Sequence, residues 1–259
     1  MDAAGRRLTR ALLPGVLVAC LLAACGGEPT AQEEPADRPS ASSTPTTSAG
    51  PPSVAPSRTP QPPPTRTPEP RPVRGVDASH HQGAIDWVRV RRDRIDFAYL
   101  KASEGSSFTD PRFVANARAA RKAGLRVGGY HYFSLCSPGA PQAAHFADVL
   151  ASAPARTMPP AVDLELLGSC SDPPAREELL GEIGAFVDEV ERSTGQRVVV
   201  YAYPDFEDRY QVRAAIDRRL WVRRIGSTPP AGDWWIWQRD DSASIDGIEG
   251  PADLNVMAP

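Results

Sequence analysis

Residues 74–259 of this 259-residue chain predict an α/β fold, a barrel of parallel strands wrapped by helices. Short apolar runs alternate with helix-period segments, the pattern of strand-helix-strand crossovers. Eight such runs occur, enough to close a barrel. The polar residues of those runs gather at one end of the predicted strands, where a parallel barrel carries its chemistry. The first aromatic residue is Trp87, so the material for a core lies in this part of the chain alone.

The chain ahead of the domain is of another kind. Arg6, Arg7 and Arg10 precede an apolar stretch from Ala11 to Ala24 that is short for a membrane span, so residues 1–25 read as a targeting segment. Leu22-Ala23-Ala24-Cys25 resembles the lipobox of bacterial lipoproteins, in which cleavage precedes the Cys and its thiol carries diacylglycerol. Cys25 is then the expected lipidated N-terminus. Leu17-Val18-Ala19-Cys20 fits the same loose pattern but leaves Leu21 and Leu22 on the mature end. An ordinary cleaved signal peptide is the alternative. Residues 26–73 hold half of the 28 prolines, many Ser and Thr, and no aromatic. Such a segment buries too little to offset ordering entropy and reads as a disordered tether, with a reach of about 40 Å as a flexible coil.

Within the domain, Val76–Ser79 predicts the first strand, Phe97–Ala102 the second, Val127–Phe133 the third, Ala161–Leu166 the fourth and Val198–Tyr203 the fifth. Asp110-Pro111 signals a helix start that Gly124 ends, and Asp172-Pro173 signals another that Gly195 ends. In the second helix Leu179, Ile183, Phe186, Val187 and Val190 make one apolar face. After Tyr203 three more strands, Leu220–Val222, Trp234–Gln238 and Leu254–Met257, follow with little helix between them.

A net charge of −3 and no basic stripe exclude nucleic acid as the expected partner. Cys136 and Cys170 remain once the targeting segment is removed, and both lie in loops leaving consecutive strands at one end. In an exported protein they predict a disulfide.

Strand alternation points Asp163 and Glu165 to the same side. Two carboxylates on one face of an apolar strand are costly unless chemistry uses them. Paired carboxylates suit glycoside hydrolysis, one protonating the departing oxygen and the other assisting the cationic centre or a water. His80 and His81 near Asp77 lack further ligands at metal spacing, so no metal is expected. Lys101 and Glu104 read as a structural pair.

The motifs Gly75–Gly83 with Ile85-Asp86-Trp87, Phe97–Gly105, Gly129–Phe133, Ala161–Glu165, Leu220-Trp221 and Ile236–Met257 together resemble the family 25 glycoside hydrolases, lysozymes of bacteria and phages. They run in family order across the domain. The resemblance implies a flattened TIM-like barrel of five β/α units followed by three further strands, (β/α)5(β)3. It implies Glu165 as proton donor, with Asp163 orienting the substrate's acetamido group or supporting its attack. Asp77 and Asp253 match two further acids of the cleft, and Tyr130, His131, Tyr201, Trp221 and Gln238 line the sugar subsites. Val222-Arg223-Arg224-Ile225 and Arg239 stand where the family has a small residue and aromatics. The activity implied is hydrolysis of the β-1,4 bond between N-acetylmuramic acid and N-acetylglucosamine, with no cofactor. The partners are peptidoglycan strands and, through the lipid, the outer face of the cell membrane; a monomer is expected. A glycan-binding lipoprotein without activity and a secreted antibacterial lysozyme are the alternatives.

Overall fold

The computed structural model describes residues 71–154, 156–167 and 170–259; the targeting segment, Cys25 and the linker up to residue 70 lie outside the described residues. The strands are β1 (Arg74–Ala78), β2 (Ile95–Glu104), β3 (Phe108–Thr109), β4 (Arg126–Tyr132), β5 (Ala161–Leu164), β6 (Val199–Ala202), β7 (Arg219–Arg223), β8 (Ile236–Ala243) and β9 (Ala252–Met257). The helices are α1 (Trp87–Arg92), α2 (Phe113–Lys122), α3 (Gly139–Ala151), α4 (Arg176–Thr194), α5 (Pro204–Tyr210) and α6 (Val212–Ala215), and His80–Gln82 form one 3-10 turn.

β1, β2, β4, β5, β6, β7 and β8 pair in parallel, each with the next. β9 lies between β8 and β1, antiparallel to both, and closes the barrel. The fold is therefore the expected α/β barrel of five β/α units and three further strands, with β3 as an added lip on β2. The reversal of β9 has a consequence for function. Its first residues, including Asp253, reach the rim where the parallel strands end.

Two cores fill the structure. Inside the barrel Phe97, Tyr99, Ala161, Val199, Trp221 and Ile236 pack together, with Met158 beside them. The two large rings fit because their neighbours lack side chains: a methyl group on Gly75 would fall within the Phe97 ring, and one on Gly128 within the Tyr99 ring. The second core lies between strands and helices. There α4 buries Leu179, Ile183, Phe186, Val187 and Val190, the face its periodicity predicts. Gly195 ends that helix in the left-handed conformation, φ 66°.

Both predicted helix starts are displaced. α2 begins at Phe113, and Asp110 instead accepts the Arg112 N–H at 2.8 Å and the His80 N–H at 2.8 Å. α4 begins at Arg176 because Pro173 and Pro174 disfavour helical geometry in the residues before them. The interval after Tyr203 holds α5 and α6 where little helix is predicted, two short helices that bury Phe206, Tyr210 and Val212.

Candidate active site

The C-terminal ends of the parallel strands surround a cavity of about 370 Å³. Asp77 comes from β1, Tyr130 from β4, Asp163 from β5, Tyr201 from β6, Trp221 from β7 and Gln238 from β8, and all six line it. Glu165, one residue past β5, and Asp253 on β9 complete the acidic set. The period of two that points Asp163 and Glu165 inward acts on every strand. It also delivers residues the sequence reading passes over: Tyr132 beyond Tyr130, Tyr203 beyond Tyr201, Arg223 beyond Trp221 and Asn255 beyond Asp253.

The four acids stand as two neighbouring pairs. Asp77 and Asp253 stand opposite each other across β1 and β9 and share a hydrogen bond. Asn255 donates to Asp77 at 2.7 Å, and Gln238 at 3.4 Å. Each of those amides is itself held, Asn255 by the Trp221 indole N–H at 2.8 Å and Gln238 by the Tyr201 hydroxyl at 3.0 Å. Trp221 and Gln238 thus position a carboxyl as well as lining the cavity. Burial first, then the charge of Asp253, pushes Asp77 well above the usual carboxylate range.

Asp163 and Glu165 form the second pair, also linked by a hydrogen bond. Burial, then the charges of Glu165 and Asp77, pushes Asp163 well above its usual value. Burial also raises Glu165; Asp205 and Asp253 add to this, while the hydrogen bond to Asp163 and the charge of Arg223 oppose it. Both carboxyls of this pair therefore keep their protons to higher pH than free carboxyls do. Asp163 Oδ1 is buried and has no hydrogen-bond partner among the described residues. A buried acceptor without a partner is expensive, so this atom is poised for a donor that a ligand brings.

The structure corrects one expected sugar contact. His131 faces away from the cavity into the layer between strands and helices, fully buried. Its Nδ1 lies 2.9 Å from Ser103 Oγ and its Nε2 3.2 Å from Gln142 Oε1, and its ring stacks on Phe186 at 4.9 Å. Burial lowers its pKa to about 3. The reason is parity: Tyr130 and Tyr132 point inward, so the residue between them points out. Lys101 does line the cavity but donates to Glu104 at 2.6 Å and lies 4.7 Å from the Tyr132 ring, the structural place expected of it.

Cys136 and Cys170 form the predicted disulfide, with Cα atoms 5.4 Å apart. It joins the loop after β4 to the loop after β5. The Tyr132 hydroxyl donates to the Leu167 carbonyl in the same wall of the cleft.

The model of the glycosyl hydrolases family 25 matches residues 76–248. The chain is 34% identical over 191 residues to a protein of Escherichia coli named YegX, covering 71% of this chain and 68% of that one. It is 31% identical over 195 residues to Lysozyme M1 of Streptomyces globisporus, covering 70% of this chain and 66% of the relative. The structure of a family 25 glycosyl hydrolase from Bacillus anthracis superposes with a TM-score of 0.66 at 32% identity, over 72% of this chain and 89% of that one. With the fold, the acidic barrel mouth and these likenesses in agreement, the chain belongs to the glycosyl hydrolases family 25.

Proposed function

We propose that this glycoside hydrolase is a peptidoglycan muramidase that cleaves the β-1,4 bond between N-acetylmuramic acid and N-acetylglucosamine. The observation that carries the reading is the Asp163–Glu165 pair, two neighbouring acids in a cleft, with one buried oxygen that has no hydrogen-bond partner among the described residues. Glu165 is the proton donor. It stays protonated beyond the ordinary carboxyl range because burial disfavours its charge. Asp163 accepts the acetamido N–H of the sugar at Oδ1. That hydrogen bond favours negative charge on Asp163, which in turn favours the protonated form of its neighbour Glu165, the member that must donate. The acetamido oxygen, held in turn, bonds to the anomeric carbon as the glycosidic oxygen departs with the proton from Glu165; water then attacks that carbon, breaking the bond to the acetamido oxygen and returning a proton to Glu165. Asp77, kept in place by Asn255 and Gln238, and Asp253 form the further acidic wall.

The relative named a lysozyme supports this reading over a binding protein that has lost its chemistry, as does the presence of both carboxyls in one cavity. The leader and Pro-rich tether favour a lipid-anchored enzyme, exported and working on the wall from the outer face of the membrane, over a freely secreted antibacterial lysozyme. Glu165→Gln is expected to lower kcat about 100- to 10,000-fold without lowering the thermal midpoint. Release of reducing ends from purified peptidoglycan reads the effect, and wild-type turnover in that variant would overturn the assignment.

A further inference from the structure

Arg223 ends β7 and lines the cavity beside the catalytic carboxyls. Its side chain is only 18% exposed, yet its one hydrogen bond to another described residue runs from Nη2 to Asp241. A guanidinium carries five N–H groups, so most of its donors have no acceptor among the described residues. The Tyr203 ring lies 4.9 Å from Arg223 Cζ. That contact and the Asp241 bond fix the position of the guanidinium, so little of its rotamer freedom is left to lose on binding.

The rest of the cavity makes this cation stand out. Asp77, Asp163, Glu165, Asp241 and Asp253 line it. Lys101, the other strong cation there, is occupied by Glu104. Arg223 supplies the one guanidinium among the lining residues that an anionic ligand entering this acidic mouth would meet. The charge of Arg223 is felt at both Glu165 and Asp253, so it faces the reacting region.

We propose that Arg223 is a specificity-determining residue that binds a carboxylate on the substituent of the muramoyl sugar. This rests on the muramidase reading above. Two sources supply that chemistry: the lactyl acid itself in peptide-free glycan, or a free carboxyl on the stem peptide near the sugar. A charge-assisted, forked contact suits either, and amidation removes it.

The test compares kcat/KM of wild type, Arg223→Gln and Arg223→Lys on three glycans: peptide-free, peptide-bearing with the near carboxyl free, and peptide-bearing with that carboxyl amidated. Wild type is expected to prefer at least one carboxylate-bearing glycan over the amidated one. Arg223→Gln should shrink that preference roughly 10- to 100-fold, and Arg223→Lys should restore part of it. The glycan on which the preference collapses identifies the source. Equal losses on all three glycans would overturn the proposal, showing that Arg223 acts through the fold or the acidity of Glu165; a pH profile of kcat shifted equally on every substrate would say the same. Binding of the same glycans to Glu165→Gln and to Glu165→Gln/Arg223→Gln separates recognition from turnover. Tight, Arg223-dependent binding without turnover in wild type would sink the muramidase reading and keep the carboxylate site. Binding insensitive to Arg223 would sink the site alone.

Discussion

Asp163 concentrates the conflict between stability and chemistry at the level of single residues. Its carboxyl faces Glu165 and Asp77, and its buried Oδ1 has no partner among the described residues. A group whose pKa is raised by folding holds its proton in the native state after the unfolded chain has lost it. The native state then binds more protons, and stability falls as pH rises above the unfolded value near 4. Asp163, Glu165, Asp77 and Asp253 all act in this direction. Asp96 acts oppositely. Burial works against its charge, but the Arg71 hydrogen bond, the Arg74 N–H and the nearby arginines hold its pKa below the usual value, so its contribution is lost as pH falls. Asp163→Asn should therefore melt above wild type at neutral pH, with an advantage that shrinks toward pH 4, while activity falls steeply. Calorimetric melts from pH 4 to 8 check this, and a variant less stable than wild type at pH 7 would contradict it. Activity on the alkaline side should decline as Glu165 loses its proton, above the ordinary carboxyl range.

At the level of elements, strand pairing determines which residues meet. β2 carries a bulge between Lys101 and Ser103, so Ser103 turns outward to His131 while Glu104 comes round to Lys101. A regular strand would place residues 101 and 104 on opposite faces. The glycine under Tyr99 is equally specific. Gly128→Ala should cost about 1 to 3 kcal/mol through overpacking, whereas Gly181→Ala, with open space at that position of α4, should add about 0.5 to 1 kcal/mol. Denaturant midpoints distinguish them, and equal effects would refute the packing argument. The disulfide spans 34 residues of sequence. Its removal by Cys136→Ser with Cys170→Ser should cost about 3 to 4 kcal/mol by the chain-entropy model. KM should rise as well, because the staple restrains the loop that follows Glu165; a variant with unchanged melting and unchanged KM would deny it either role.

For the whole molecule, the proposed role of the charged leader, the Leu-Ala-Ala-Cys segment and the Pro-rich stretch is to hold the enzyme domain at a membrane. A single lipid chain binds a bilayer only marginally, so diacylglycerol with its two chains is the form that anchors. Cys25→Ala is expected to appear in the medium or as an unprocessed precursor, and mass analysis of the mature N-terminus should find lipid on Cys25. A mature protein that begins elsewhere, or an unmodified Cys25, would remove the anchor from the proposal. The domain from residue 74 onward carries the barrel and both cores, so released from its tether it should keep its turnover on soluble glycan fragments.

The eight barrel strands, the apolar face of α4, the inward pair Asp163 and Glu165, and the Cys136–Cys170 bridge were legible in the sequence, because each rests on local periodicity or on elimination among few residues. Inward partners such as Arg223, Tyr203 and Asn255 were within reach of the same rule, by counting two residues on from sites already marked. The direction of β9 and the bulge in β2 were decided by tertiary structure. Each depends on which strands become neighbours and which face the helices cover, and hydrogen bonds and buried area between residues far apart in the chain determine both.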